Sequence, residues 1–181
     1  HSFPTRRSSD LLLVRWFEYG TFCPVMRLHG YRWPLQPQYG TTGGATCVSG
    51  APNEVWSYTD QVCEILSDYL RLRERMLPYI TELMEEAHEK GTPVMRPLFY
   101  DFPEDKESWN VETEYMFGPK VLVKPITDAD ARETDVYLPG GASWTNAWTG
   151  ETFEGGQKVH VAAPIEQIPL FTRDGYKLPM K

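Results

Sequence analysis

The residues best suited to chemistry fall in one short run, Arg27, Leu28, His29 and Gly30. Side chains alternate along an extended segment, so Arg27 and His29, two apart, point to the same side. Val25 and Met26 read as a short apolar strand leading into the run. A polar pair at the carboxyl end of a buried strand is the usual place for a site in a barrel enzyme. A neutral imidazole offers one donor and one acceptor. A guanidinium can hold a buried carboxylate ionised, or simply make a salt bridge at the barrel rim. A lone histidine is more often structural than functional, so the pair needs support from the rest of the chain.

The elements around the pair are legible from pattern. Residues 11–20 read as an apolar helix with aromatic faces, interrupted by Gly20 and stopped by Pro24. Residues 31–53 read as a long loop rich in Gly, Thr and Pro, and loops of that length are usually functional. Ser57 with Asp60 resembles a capping box, with Asp in place of Glu. From there apolar residues keep helical spacing to Lys90. At 1.5 Å per residue that helix is roughly 50 Å long, so Pro78 is expected to kink it or divide it in two. Gly91 is the expected terminator. Beyond it, residues 94–102, 114–117, 121–126, 134–138, 158–162 and 167–172 read as short strands, which suggests an antiparallel sandwich. Residues 144–148 read as a hairpin strand ending at Thr149 and Gly150.

Composition narrows the function classes. A net charge of −7 over 181 residues argues against a nucleic-acid partner, which needs a basic face. No apolar run is long enough to span a bilayer as a helix. Cys23, Cys47 and Cys63 lack C-x-x-C spacing, so neither zinc nor a redox pair is suggested. The acidic stretch 128–135 reads as a solvated turn whose pattern is too poor for calcium. No cofactor is expected. Six Trp within a 13% aromatic fraction suit a carbohydrate enzyme without proving one.

Arg15, Trp16, Phe17, Gly20, Phe22 and Pro24, followed by the R-L-H-G run, resemble a motif pair of glycoside hydrolase family 31, the α-xylosidase and α-glucosidase family. There a helix of the form R-W-F-x-x-G-x-F-x-P leads into the last barrel strand, which ends in R-x-H. The resemblance continues through P-N-E-V-W (52–56), M-L-P-Y (76–79), G-T-P-V-M-R-P (91–97), D-F-P-E-D (101–105), E-Y-M-F-G (114–118), V-Y-L-P-G (136–140) and I-P-L-F-T-R-D-G (168–175). It implies a fold: the last part of a (β/α)8 TIM barrel over 11–90, then a β-sandwich C-terminal domain over 91–181. Residues 1–10 do not fit the family pattern. They are expected to be a non-family leader, read as a translated sequencing-adapter artefact joined to a gene fragment, or more plainly as a short disordered leader.

The resemblance also implies a role. His29 would contact sugar hydroxyls in the −1 subsite, the pocket for the ring that is cleaved, and its donor and acceptor match a pair of vicinal hydroxyls. Arg27 and Trp56 are the other substrate-binding candidates. Trp56 and Trp33 could stack on a sugar face, although a core or covering aromatic is the commoner reading for each. Glu54 is a conceivable site carboxylate but is expected to cap a helix; Arg73 and Arg75 are expected to pair with barrel carboxylates rather than bind ligand, and Arg96 and Asp101 to sit at the domain junction. Lys124 stands where the family has a small residue, which questions local packing. Retaining glycosidases need two carboxyl groups about 5 Å apart. The family draws both from earlier barrel strands, in motifs resembling W-x-D-x-x-E and G-D, and neither motif occurs here. The expected protein is therefore a C-terminal fragment of a retaining α-glycosidase, α-xylosidase-type, acting on an α-linked oligosaccharide or glycoside, inactive alone. An α-glucosidase-type member, a carbohydrate-binding module with Trp144 and Trp148 as platform, and a structural module are the alternatives. A homo-oligomeric parent, in bacterial cytoplasm or periplasm, stays open.

Overall fold

The computed structural model describes residues 6–28, 32–36, 41–42, 45–46 and 49–180, with side chains over 10–28 and 50–180. The first helix, α1 (Arg6–Thr21), begins inside the stretch read as a leader, five residues before the expected start. It buries Val14 and Phe17, while Leu12 and Trp16 are 60% and 63% exposed. The strand expected at Val25 and Met26 does not form; residues 25–28 carry no regular structure. A strand exists only through a paired neighbour. Among the described residues nothing pairs with this stretch.

Residues 31–53 are more ordered than the loop expected there. β1 (Arg32–Gln36) pairs antiparallel with β4 (Ser49–Ala51), and between them β2 (Thr41–Thr42) pairs with β3 (Ala45–Thr46). Thr41, Thr42 and Thr46 are β-branched and favour strands, and this signal was hidden by the glycines around them.

A 3₁₀ turn (Val55–Ser57) precedes α2 (Asp60–Arg75). The cap is Thr59, not Ser57: its hydroxyl accepts from the Val62 N–H at 3.3 Å, and Asp60 is already the first helical residue. The side chain that caps must belong to the extended residue just before the helix, and Thr59 has that backbone. Ser57 instead donates to the Glu54 carboxylate at 3.2 Å. The long helix divides at the buried Met76, and α3 (Leu77–Lys90) starts with Pro78 in its first turn, where a missing N–H costs nothing. Gly91 ends α3 in the left-handed conformation, φ 71°.

The C-terminal half is β-rich. After β5 (Met95–Arg96) the expected strand over 94–102 stops, because Pro97 opens a helical turn, α4 (Leu98–Asp101). A 3₁₀ turn (Lys106–Trp109) follows. Then come β6 (Tyr115–Phe117), β7 (Val121–Val123), β8 (Glu133–Leu138), β9 (Ser143–Asn146), β10 (Thr152–Glu154), β11 (Gln157–Ala162) and β12 (Leu170–Arg173). β9 and β10 form the expected hairpin. Six strands make one antiparallel sheet in the order β10-β9-β12-β7-β6-β5, and β8 pairs with β11 to form the opposing layer. Side chains alternate across the sheet. Phe117, Val121, Val123 and Leu170 face α1, α2 and α3, whereas Met116, Leu122, Trp144 and Phe171 face β8, β11 and α4. One sheet thus serves two cores. Among the described residues no helix is long and apolar enough to cross a membrane.

The β6–β7 turn is locked onto α3. Tyr79 donates its hydroxyl to the Phe117 carbonyl at 2.9 Å and accepts from the Lys120 N–H at 3.3 Å. Gly118 lies between them at φ +60°, and a β-carbon there would collide with the Tyr79 hydroxyl and sit 2.5 Å from Leu83. Gly118→Ala is expected to cost about 2–4 kcal/mol from backbone strain plus overpacking. The unfolding midpoint in urea, compared at equal m, measures it; a loss below half a kcal/mol would refute the close approach.

Candidate functional site

Arg27 is exposed and belongs to the unpaired stretch, flanked by the exposed Val25 and Leu28, while Met26 packs back onto the helical core. Trp56 is 72% exposed in its 3₁₀ turn. His29 lies outside the described residues, and so does the Trp33 side chain. The structure thus shows two of the three sequence-predicted binding residues at the surface, and no described contact joins them. Glu54 stands at the head of the 3₁₀ turn holding Ser57, a local structural role.

Arg73 and Arg75 depart from expectation, because among the described residues neither pairs with a carboxylate. The Arg73 guanidinium donates to the carbonyls of Thr21, Cys23 and Pro24, and Arg75 donates to those of Pro179 and Met180. Carbonyls at helix ends and turns lack ladder partners, and a planar fork of donors suits several at once. Arg96 is buried where the helices meet the sheet, 3.0 Å from Asp101 and 3.7 Å from Glu86 of α3. Lys124 resolves its own packing question: it lies 3.5 Å from Glu114, whose carboxylate also accepts from the Tyr137 N–H at 3.0 Å. The acidic stretch is split, with Asp128 and Asp130 exposed while Asp135 sits in β8, 2.7 Å from His160. Trp144 is fully buried and donates to the Pro139 carbonyl, and Trp148 is half-buried against Ile168. An exposed two-tryptophan platform is absent from these positions.

Sequence reasoning missed a buried polar network under α1. The Arg15 guanidinium donates to Glu18 at 2.9 Å and to the carbonyls of Ala131, Ala163, Pro164 and Gln167. Tyr69 of α2 donates to Glu18 at 3.2 Å and accepts from the Ile168 N–H at 3.0 Å. The only sequence signal was the i, i+3 spacing of Arg15 and Glu18, which usually means a surface pair. Nearby, an open groove of about 620 Å³ runs between α2 and residues 166–167, lined by Gln61, Glu64, Asp68, Arg71 and Trp148. Neither Arg27 nor Trp56 lines it.

Burial pushes the Glu18 carboxyl up to about 7, against the pull of Arg15 and of the Tyr69 hydroxyl. Burial likewise raises Glu114 to about 7. An acid with a raised folded pKa binds more protons folded than unfolded, so its contribution to stability is present below its unfolded value and lost as pH rises through the folded one. Stability should therefore fall between pH 4.5 and about 7. Glu18→Gln, which keeps the hydrogen-bonding shape, should remove on the order of 2 kcal/mol of that fall. Urea titrations at several pH values read it, and a slope identical in the variant contradicts the assignment.

Comparison with known proteins places this geometry. Residues 2–83 match the glycosyl hydrolases family 31 TIM-barrel domain, and residues 91–178 match the glycosyl hydrolase family 31 C-terminal domain. An alpha-xylosidase of Saccharolobus solfataricus is 36% identical over 177 residues, 98% of this chain and 22% of the relative. Alpha-glucosidase 2 of Bacillus thermoamyloliquefaciens is 36% identical over 165 residues, 91% of this chain and 19% of the relative. The crystal structure of a GH31 alpha-xylosidase from a soil metagenome, complexed with xylose, superposes with a TM-score of 0.88 at 45% identity, covering 94% of this chain and 26% of that one. The chain spans about a fifth to a quarter of the length of these proteins.

Proposed function

The chain belongs to glycosyl hydrolase family 31, and on that premise we propose that it is the C-terminal part of a retaining α-glycosidase of the α-xylosidase type. In this reading residues 11–90 close the barrel and 91–181 form the sandwich. Arg27, His29 and Trp56 supply part of the −1 subsite. The observation that carries the reading is the 45% identity and 0.88 TM-score to an α-xylosidase that binds xylose. Equal identity to an α-glucosidase, 36%, supports the second reading, a hexose-specific member. The buried Trp144 speaks against a carbohydrate-binding module built on it.

The chemistry has two steps. A carboxylate attacks the anomeric carbon while a carboxylic acid protonates the departing glycosidic oxygen, giving a β-glycosyl-enzyme. The second residue then takes a proton from water, which attacks the same carbon and releases the α-anomer. The buried carboxylates described in this chain hold structural partners: Glu18 with Arg15, Glu114 with Lys124, Asp101 with Arg96. The reacting pair would come from the rest of the parent. Arg27 and His29 would hold ring hydroxyls by hydrogen bonds and orient the sugar for attack.

Three outcomes are expected. The chain alone should leave 4-nitrophenyl α-xyloside and α-glucoside intact, whereas the full-length parent should cleave one of them with retention. Within the parent, His29→Ala should lower kcat/KM by about 10²-fold. Turnover by the purified chain, unaffected by His29→Ala, would sink the proposal. The chain alone should also associate, because the large apolar side chains of Leu12, Trp16, Leu70, Leu77 and Met84 on its three helices are exposed. A chain that stays monomeric at micromolar concentration would be evidence against this.

A further inference from the structure

Four consecutive carbonyls mark the end of α1, and side chains from two other elements take every one of them. Arg73 in α2 donates from Nη1 to Thr21 at 2.7 Å and to Cys23 at 2.9 Å, and from Nη2 to Pro24 at 3.0 Å. Tyr115 in β6 donates its hydroxyl to the remaining carbonyl, Phe22, at 3.0 Å. Phe22 is fully buried and meets Phe117 edge-on, and Tyr19 meets Tyr115 in the same way. Capping a helix end would require contacts only to its last turn. Here the contacts run on through Cys23 and Pro24, into chain already heading for Arg27, three residues further on. A cation at a helix C-terminus is favourable, and a rigid guanidinium fork leaves the turn little freedom.

We propose that Arg73 and Tyr115 are positioning residues for the sugar-binding segment, holding the turn from which the stretch bearing Arg27 departs. This rests on the reading of that segment as a pocket wall. It gives the sandwich a share in shaping the pocket, since Tyr115 comes from the sheet. Neither residue touches substrate. Their effect is transmitted through backbone placement, to which catalysis is sensitive: a displacement near 1 Å can cost about 10²-fold.

The test uses the full-length parent enzyme. Arg73→Met is expected to lower kcat/KM by about ten- to a hundredfold, mainly through KM. Tyr115→Phe removes one neutral hydrogen bond and should cost about three- to tenfold. Arg73→Lys, retaining charge and part of the donor set, should recover part of the loss. Arg75→Met, whose bonds go to the Pro179 and Met180 carbonyls, should stay within about twofold of wild type. Amide exchange over residues 22–28 should accelerate in Arg73→Met while β7 and β12 stay protected. A folded Arg73→Met with unchanged KM and kcat overturns the proposal. If that variant does not fold, Arg73→Lys and Tyr115→Phe decide, and an unchanged KM in both overturns it. A wild-type parent that cleaves no α-glycoside defeats the reading of function instead. In that case faster exchange at 22–28 in the variants still supports the hold on the turn, and unchanged exchange refutes it.

Discussion

A sheet whose two faces are both apolar must be covered on both sides, and this requirement organises the molecule. Val121, Leu122 and Val123 are fully buried in succession, so β7 has no solvent face. One side is covered by α1, α2 and α3, and the other by β8, β11 and α4. The helices that close the barrel segment are therefore also the lid of the sheet. α1 lies at the centre of this arrangement, tied to the sheet connections by Arg15, to α2 through Tyr69 and Glu18, and to β6 by the bond from Tyr115.

Backbone satisfaction is the second organising demand. Chain that leaves one layer for another passes through turns whose carbonyls have no ladder partner. Here arginines do that work: Arg15 bonds four carbonyls, Arg73 three and Arg75 two. Each lies on a helix and reaches across to another part of the chain. Arg15 and Arg73 are partly buried, and their charge is met largely by carbonyl acceptors, while Arg75 is exposed. Arg15 alone of the three also has a carboxylate partner among the described residues, Glu18.

Pattern carried much of the fold, for reasons visible at particular residues. The short apolar runs of β7 and β12, the helical spacing to Lys90, Pro78 and Gly91 all act locally, and local signals are written in adjacent residues. The expectations that failed involve partners far along the chain. Val25 and Met26 have apolar side chains but, among the described residues, no strand to pair with. Thr59 outcompeted Ser57 by a backbone angle that composition does not show. Arg73 was assigned to carboxylates because charge is legible in a sequence, whereas unpartnered carbonyls are not. Of the candidate site, the R-L-H-G motif was recognisable from residue types alone. Its surroundings, set by contacts 49 to 93 positions apart, were not.

The helical core has one further consequence, for where this chain can be divided. The two family matches end and begin on either side of residues 84–90, as if two units met there. Yet Phe22, Leu66 and Tyr79 share one apolar cluster with Phe117, Val123 and Leu170. Cutting at that junction would lay bare both halves of a single interior. The family-match boundary and the folding seam do not coincide, and any excision, fusion or domain exchange in this chain should carry the α1–α3 helices and the sheet together.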